Sequence, residues 1–151
     1  MKAVIQRVKK AILTADKKGV CGINRGLFIL LGVKDTDTEE DMRLLSSKCS
    51  GLRLFEDENR KMNLSVDDIG GEILVVSNFT LYADCKKGKR PSFISAARPE
   101  KAIPLYESFI ENLKCEKPIK TGVFGAEMQI LAENDGPVTI VIDSEDLKHG
   151  N

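Results

Sequence analysis

The residues from Gly26 to Val33 are almost entirely apolar, and this run limits the folds open to the chain more than any other segment. A strand of this kind has no polar face, so other parts of the chain must cover it on both sides. A helix signal follows, in which Thr38 can cap the N-terminus, acidic residues fill the first turn and Gly51 can end the helix. At 151 residues the chain has the length of one domain with a proper core. We therefore expect a single domain over residues 1–151, built from layers of sheet and helix.

Further strand, turn and helix signals are spread along the chain. Strand-like segments lie at Ala3–Val8, Ala11–Thr14, Leu52–Phe55, Glu72–Ser77, Ile119–Phe124, Glu127–Ala132 and Val138–Asp143. Turn or loop signals lie at Lys17–Gly19, Asn59–Lys61, Gly70–Gly71 and Asn134–Pro137. A second helix is predicted from Pro99 to Leu113, in which Pro104 marks either the true start or a kink. The pattern predicts a mixed α/β domain with two main helices on one side of layered sheets.

The charges of the chain balance, with 23 basic and 23 acidic residues. A polybasic nucleic-acid binder and an acidic disordered tail are therefore both disfavoured. Two stretches are nevertheless basic, with net charges of +6 over residues 1–25 and +5 over residues 86–101. They can gather on one face that meets a polyanion, or they are ordinary solvated surface. No apolar run approaches the ~20 residues that span a bilayer, and no signal core is present, so we expect a cytoplasmic protein without membrane contact.

The residues that commonly catalyse hydrolysis are scarce. The single histidine, His149, lies two residues before the end of the sequence, so Ser-His-Asp and Cys-His catalysis are disfavoured. The cysteines form no Cys-x-x-Cys pair, which argues against a zinc site and a disulfide scaffold; they are Cys21, Cys49, Cys85 and Cys115. A thiol enzyme that uses Cys85 beside Lys86 and Lys87 is an alternative that Cys85→Ser would test. We expect neither a metal nor a cofactor.

Two polar clusters interrupt apolar strands. The first follows Ile73–Val76 and consists of Ser77, Asn78, Phe79 and Thr80. Polar side chains and backbone N–H groups at a strand end can line a cleft and stabilise an oxyanion, although a plain polar turn is the alternative. The second cluster is Asn134–Thr139, which contains Gly136 and Pro137. By itself it is typical of a hairpin turn in which proline opens the next strand.

Together, Val75–Leu81 and Asn134–Thr139 closely resemble the two signature motifs of the D-aminoacyl-tRNA deacylases. Other blocks resemble the family in the same order along the chain: Ile5–Val8, Gly26–Val33, Lys61–Leu64, Lys89–Phe93 and Thr121–Met128. The resemblance implies a homodimeric hydrolase with a barrel-like arrangement of sheets. Such an enzyme cleaves the ester that joins a D-amino acid, or glycine mischarged on tRNA(Ala), to the acceptor end of tRNA, and it leaves L-aminoacyl-tRNA intact.

The resemblance also implies roles for particular residues. Gly136 and Pro137 would be joined by a cis peptide bond and would reach into the pocket of the partner subunit. Their backbone carbonyls would bind the amino group of the substrate and leave no room for an L side chain. Arg7 matches the residue that braces this dipeptide. Phe124 and Met128 match positions in the pocket wall, with core packing as the alternative for both.

The implied chemistry needs no imidazole. An aminoacyl ester is already activated, so a positioned water and a stabilised oxyanion suffice, and in the family the terminal 2′-hydroxyl of the tRNA assists. We expect Thr80 to orient substrate or water, and the backbone N–H groups of Phe79 and Thr80 to contact the oxyanion, with Ser77 in the same motif. The family usually has Gln where this chain has Asn78, which shortens the side chain by one methylene. The alternative function is a catalytically weakened relative that binds tRNA without turnover.

Overall fold

The computed structural model describes residues 1–16 and 18–149. Its elements are β1 (Lys2–Ala15), β2 (Lys18–Ile23), β3 (Gly26–Gly32), α1 (Glu39–Gly51), β4 (Phe55–Glu56), β5 (Met62–Leu64), β6 (Glu72–Ser77), a 3₁₀ helix (Phe79–Tyr82), α2 (Pro99–Asn112), β7 (Lys120–Thr121), β8 (Met128–Asp143) and α3 (Ser144–Lys148). The predicted mixed α/β class is confirmed, and α1 has the predicted bounds. Within the described ranges, no helix is long and apolar enough to cross a membrane.

The main sheet is organised around β1. On one side, β1 pairs antiparallel with β8 over almost its whole length, and on the other side it pairs with β3 and β2. Strand β3 continues the sheet through β6 to β7 in two parallel pairings, while β4 and β5 form a separate ribbon. The Cys21 thiol on β2 donates to the Thr121 carbonyl on β7 at 3.5 Å. The sheet therefore curls until its two edges almost meet, as in a barrel.

The curled sheet buries side chains on both of its faces. One core lies between the sheet and the helices, and its members include Ile5, Leu27, Ile29, Leu31, Leu45, Ile73 and Phe109. The other core lies inside the curl and includes Leu13, Phe28, Leu74 and Val76. Each fully buried Leu, Ile or Phe contributes roughly 1.5–3 kcal/mol. Strand β3 sends alternate residues into the two cores, which confirms that the apolar run is covered on both faces.

The N-terminal strand is longer than the sequence predicts. Ala3–Val8 and Ala11–Thr14 belong to one strand, because Lys10 stays paired with Glu133 of β8 and the register merely shifts on either side of Val8. The side chains of Lys9 and Lys10 face solvent, which gave the segment between the two apolar runs its loop-like composition.

The sequence predicts a hairpin turn at Asn134–Pro137 between two C-terminal strands, and this prediction is wrong. Glu127–Ala132 and Val138–Asp143 fall within or beside the single strand β8, whose pairing partner β1 runs past the gap between them. Val8 pairs with Asn134 and Gln6 pairs with Thr139, so four residues of β8 stand opposite Arg7 alone. Residues 135–138 therefore form an extended β-bulge rather than a turn between two strands. We call this segment the Gly-Pro bulge.

Other predicted boundaries differ by smaller amounts. The segment Ile119–Phe124 contributes only the two residues of β7, and the chain then turns at Gly125, where φ is +75°. Leu52–Phe55 contributes only the first residue of β4. Helix α2 begins at Pro99, so Pro104 is not its start. Lys17 of the predicted turn at Lys17–Gly19 lies outside the described residues, and its last two residues belong to β2.

A buried carboxylate joins α3 to α1. Asp41 accepts hydrogen bonds from Lys148 Nζ at 2.8 Å and from Ser144 Oγ at 2.7 Å, and its other oxygen accepts from the Thr38 N–H at 2.9 Å. Burial acts to raise the pKa of Asp41, but the hydrogen bonds from Lys148, Ser144 and Thr38 outweigh it and hold the pKa well below its usual range. The ionised form is therefore the one that the fold stabilises.

Replacing Asp41 with asparagine is expected to lower the free energy of unfolding at pH 7. A carboxyl group whose pKa is depressed in the folded state stabilises the fold above its unfolded pKa, near 4, and this contribution is lost as the pH falls further. The unfolding free energy of the wild type should therefore decline more steeply below pH 4 than that of Asp41→Asn. Urea unfolding between pH 2.5 and pH 7 measures both, and Glu40→Gln, at an exposed position beside Asp41, is the control. Parallel pH profiles for the wild type and Asp41→Asn would contradict the assignment.

Candidate active site

A cavity of about 410 Å³ lies at the carboxyl ends of the parallel strands β3 and β6. Its lining is mostly apolar and consists of Val33, Ser77, Phe79, Phe93, Ala96, Ala97, Arg98, Pro99, Ala102, Phe124 and Gly125. The carboxyl ends of parallel strands are the usual place for a ligand, because loops from adjacent strands diverge there. The described lining contains no carboxylate and no imidazole, and His149 is exposed at the end of α3. Acid–base chemistry by a lining side chain is therefore not available.

Two predicted site residues reach the cavity from the end of β6. Ser77 is the last residue of the strand, and Phe79 opens the 3₁₀ helix that follows. The Phe79 ring is 56% exposed and meets the Phe93 ring edge to face, with centroids 5.1 Å apart. An exposed aromatic pair at the mouth of an apolar cavity can stack on a planar group such as a nucleobase.

Phe124 reaches the cavity from the opposite side. It follows β7, and its ring packs on Tyr106 of α2 with centroids 5.8 Å apart. The Tyr106 hydroxyl donates to the Val75 carbonyl of β6 at 3.2 Å, which ties α2 to the sheet beneath the cavity. Phe124 is thus both a cavity wall and part of the helix–sheet core. Met128 is different, because it packs against the core inside the curled sheet and does not line the cavity.

Asn78 and Thr80 are engaged with each other rather than with the cavity. The Asn78 side-chain oxygen accepts from the Thr80 N–H at 3.1 Å and also from the Thr80 hydroxyl. This contact caps the 3₁₀ helix, as Asn does when it bonds to the backbone two residues on, and it suits the short side chain of Asn. The Thr80 hydroxyl has an amide oxygen as partner, which is too weak a base to activate a nucleophile. The contact also occupies the Thr80 N–H.

The Phe79 N–H at the start of the 3₁₀ helix is not engaged as the Thr80 N–H is. The first N–H groups of a helix have no partner within the helix. The Thr80 N–H is bound by Asn78, whereas the Phe79 N–H donates to no atom of the part of the chain that the structure describes. Of the two backbone donors that the sequence suggests, only Phe79 is therefore available to a ligand.

The Gly-Pro bulge is exposed, yet it is held from beneath. The peptide bond between Gly136 and Pro137 is cis, as the resemblance implies, and both residues are exposed. Arg7 is buried below them and donates from Nε to the Asp135 carbonyl at 2.9 Å and from Nη1 to the Leu54 carbonyl at 2.7 Å. The Asp135 carboxylate lies 3.3 Å from Arg7 Nε. Arg7 is therefore a positioning residue that fixes the backbone on which the dipeptide stands.

Asn134 closes the bulge from its other end, and sequence reasoning did not single it out. Its side-chain oxygen accepts from the Val138 N–H at 2.8 Å, and its Nδ2 donates to the Val138 carbonyl at 3.1 Å. The Asn134 side-chain amide thus binds the Val138 backbone groups that would otherwise pair with a neighbouring strand. Among the cavity residues, Phe93 and Arg98 were also missed. Phe93 does lie in a block that resembles the family, which was the available signal.

Within one chain the Gly-Pro bulge and the cavity do not meet. Ser77 is level with Ala3 through the pairings of β6 with β3 and of β3 with β1, whereas the bulge stands opposite Arg7, four residues further along β1. Four residues of strand span about 13 Å, and three strand spacings of about 4.8 Å separate β8 from β6. The two motifs are therefore on different parts of the surface of a chain.

The cysteines take no part in the cavity. Burial raises the pKa of the Cys49 thiol to about 12, and it also raises the pKa of Cys21 and Cys115. A raised pKa keeps these thiols protonated and unreactive. Cys85 is exposed on a loop and does not line the cavity. Within residues 1–16 and 18–149, no group of three or more His, Cys, Asp or Glu side chains is arranged to hold a metal ion.

Known proteins match this sequence along nearly the whole chain. The family model described as D-Tyr-tRNA(Tyr) deacylase matches residues 4–143, which include the cavity, Arg7 and the Gly-Pro bulge. The chain belongs to this deacylase family. A relative named D-aminoacyl-tRNA deacylase from Flavobacterium psychrophilum is 58% identical over 147 residues, which cover 96% of this chain and 98% of the relative. Another with the same name, from Thermotoga petrophila, is 56% identical over 97% of this chain and 99% of its own.

Two solved structures share the fold of this chain. A structure named c-Myc DNA Unwinding Element Binding Protein has a TM-score of 0.88 and 43% identity, and the match covers 95% of this chain and 98% of that chain. A structure titled as a probable eukaryotic D-amino acid tRNA deacylase has a TM-score of 0.80 at 16% identity, with 94% and 98% covered. The second likeness concerns the fold alone.

Proposed function

We propose that this chain is a D-aminoacyl-tRNA deacylase, a single domain over residues 1–151 that acts in the cytoplasm on aminoacyl-tRNA. It hydrolyses the ester between a D-amino acid and the terminal adenosine. The observation that carries the proposal is the exposed Gly-Pro bulge, which Arg7 and Asn134 hold rigid although the cavity of its own chain is out of reach. A rigid, exposed pair of carbonyls is a recognition element for a group outside its own chain.

The binding partner of the Gly-Pro bulge in this proposal is a second copy of the chain. The outward face of β1 and β8 carries exposed apolar side chains on both sides of the bulge, with Leu131 74% exposed and Val141 63% exposed. Across the strands, Leu131 pairs with Ile12 and Val141 pairs with Val4. A soluble monomer rarely leaves such a face open, so we expect it to be covered in a homodimer. The bulge lies on this face, and in the dimer its dipeptide enters the cavity of the other subunit.

The dipeptide acts as the chiral filter. Its carbonyl oxygens accept hydrogen bonds from the ammonium group of the substrate, and this fixes where the side chain on the α-carbon points. For a D-amino acid the side chain points to open space, whereas an L side chain would strike the backbone of the Gly-Pro bulge. Glycine has no side chain to reject, so glycine mischarged on tRNA(Ala) is a substrate as well. The filter works by excluding one enantiomer, which is a form of negative selection by steric clash.

The chemical step uses positioning and backbone donors. Water adds to the ester carbonyl, the bond to the ribose oxygen breaks, and a proton from the water passes to that oxygen, which gives the free amino acid and tRNA. The Phe79 N–H stabilises the oxyanion, and removal of one such donor costs about 10²–10³ in rate in other hydrolases. The 2′-hydroxyl of the terminal ribose assists the proton transfer, since the cavity lining offers no base.

A deacylation time course with D-tyrosyl-tRNA and L-tyrosyl-tRNA tests the function. We expect the D ester to be released quickly while the L ester decays at its rate in buffer. Equal release of both would mean that the dipeptide is not a chiral filter. No release of either would leave the second candidate function, nucleic-acid binding without turnover. That candidate has an observation in its favour, because one solved relative is named for binding a DNA element.

Replacing Thr80 with alanine is expected to lower kcat by about threefold to tenfold without abolishing it. The substitution removes the hydroxyl bond to Asn78 but keeps the backbone bond from the Thr80 N–H, so the 3₁₀ helix stays capped. A lost neutral hydrogen bond is worth about 1 kcal/mol, which corresponds to this range of rates. Single-turnover kinetics on D-tyrosyl-tRNA give the rate. Complete loss of turnover in a folded variant that still binds tRNA would instead identify Thr80 as the nucleophile.

A further inference from the structure

A basic loop projects from the rim of the cavity. Residues 84–92, which we call the basic arm, are closed at their base by two backbone hydrogen bonds between Asp84 and Ser92, at 2.7 and 2.9 Å. The Lys86 N–H donates to the Asp84 carboxylate at 2.9 Å, and Gly88 has a φ of +67°, which turns the chain back. The arm is therefore a formed hairpin-like loop with a fixed base.

The arm concentrates positive charge that the protein does not neutralise. Its four cations are Lys86, Lys87, Lys89 and Arg90, and all four side chains are exposed. None of them lies within ion-pair distance of a carboxylate of the residues that the structure describes. Four like charges within five residues repel one another over the ~8 Å Debye length of physiological salt. Such a cluster is stabilised when it meets an anion.

The base of the arm is part of the cavity wall. The chain enters the arm from the 3₁₀ helix that begins with Phe79, and it leaves the arm at Phe93, whose ring packs on Phe79. Both rings line the cavity. With about four residues on each side of its tip, the arm reaches up to about 13 Å from the rim. Charge on the arm therefore lies within a few nucleotides of a group bound in the cavity.

Part of the other basic stretch of the sequence, residues 1–25, makes contacts within the chain. Arg7 is buried under the Gly-Pro bulge, Lys2 lies 3.8 Å from the Asp143 carboxylate, and Lys9 lies 3.9 Å from Glu133. Lys17 of that stretch lies outside the described residues. The sequence alone does not distinguish the two stretches. The contacts favour the arm, because none of its four cations is paired with a carboxylate of the described residues, whereas Lys2, Arg7 and Lys9 are paired.

We propose that the basic arm binds the phosphates of the single-stranded acceptor end of the substrate RNA while the aminoacylated adenosine occupies the cavity. This proposal rests on the proposed function and assigns the part of the surface that recognises the RNA chain. Phosphate contacts carry no base sequence, so an arm of this kind lets one enzyme act on many tRNAs. It also makes affinity depend on salt, because each neutralised phosphate of a single strand contributes about 0.7 to the slope of log affinity against log salt concentration.

The test is the triple variant Lys86→Gln, Lys87→Gln and Lys89→Gln, measured with D-tyrosyl-tRNA. We expect KM to rise roughly tenfold or more with kcat unchanged, and the salt slope of kcat/KM to become shallower by about 2. A second substrate, 3′-O-D-tyrosyl-adenosine, has no phosphate and should be hydrolysed equally well by the wild type and the variant. The matched control is Lys61→Gln, Lys114→Gln and Lys117→Gln, which removes the same charge at exposed positions outside the arm.

The possible outcomes distinguish a failure of RNA binding by the arm from a failure of the proposed deacylase function. If the arm variant and the control have the same KM and the same salt slope, the arm does not bind the RNA, although the deacylase assignment stands. A variant that loses activity equally on the phosphate-free ester would overturn the proposal too, because the lysines would then act on the cavity itself. If the wild type binds tRNA without hydrolysing it and only the arm variant loses that binding, the arm is supported and the deacylase function fails.

Discussion

Replacing Gly136 with alanine is expected to lower kcat/KM for D-tyrosyl-tRNA by at least about 100-fold, since a displacement of about 1 Å in a positioning group costs that much. The Cβ of an alanine at this position would lie 2.6 Å from the Val138 N and 2.7 Å from its Cγ2. Gly136 also has a φ of +153°, which L residues rarely adopt. The bulge must therefore shift, and its carbonyls move away from the ammonium group of the substrate. Steady-state kinetics with D and L esters measure the loss.

Gly70→Ala is the matched control for this prediction. Gly70 has a φ of +59°, so alanine is strained there as well, but no atom lies within 4 Å of the added Cβ. We expect the Gly70 variant to lose about 1–2 kcal/mol of stability and to keep its activity. If Gly136→Ala retained full activity and discrimination while folded, the dipeptide would have no part in recognising the substrate.

Replacing Arg7 with alanine is expected to lower the free energy of unfolding by about 3 kcal/mol, because a buried cation with charged hydrogen bonds is lost. The Asp135 and Leu54 carbonyls would lose their donor, and the Asp135 carboxylate would lose its counter-charge. Urea unfolding measures the change. Lys9→Ala removes an exposed cation whose ion pair with Glu133 is 3.9 Å long, and it should stay within about 0.5 kcal/mol of the wild type.

A second substitution of Arg7 distinguishes its effect on stability from its effect on the position of the Gly-Pro bulge. Arg7→Lys keeps the charge but cannot donate to two carbonyls in the fixed geometry of a guanidinium. We expect this variant to be folded at 25 °C and to have a kcat/KM for D-tyrosyl-tRNA reduced by roughly 10-fold to 100-fold. Discrimination against the L ester should weaken in parallel, which a merely structural arginine would not cause. Normal activity and discrimination in Arg7→Lys would contradict the positioning role.

Part of the cavity lining was predictable from the sequence, whereas the contacts that each residue of the motifs makes were not. Ser77, Phe79 and Phe124 were expected at the site, and all three line the cavity. The engagement of Thr80 with Asn78 depends on the conformation of the 3₁₀ helix, which no residue pattern specifies. Met128 has the same apolar character as a cavity wall and as a core residue, so only the curl of the sheet decides between them.

The sequence by itself determined the features that depend on neighbouring residues. The bounds of α1 follow from a cap, an acidic first turn and a terminal glycine, and the double burial of β3 follows from its apolar run. The two motifs together were enough to indicate the deacylase family. Signals of this kind lie within a few neighbouring residues, so they do not depend on how distant parts of the chain pack.

Only the tertiary structure decided the features that depend on residues far apart in the chain. Asn134–Pro137 has the composition of a hairpin turn, but Gln6 and Val8 of β1 pair with the residues of β8 that flank residues 135–138, which keeps β8 a single strand with a bulge in it. The pairing that decides this joins residues more than a hundred positions apart. The difference between the two basic stretches has the same origin, since Arg7 and Lys9 are paired with carboxylates on β8. Strand pairing and burial therefore determined which of the polar residues became part of the framework and which stayed exposed.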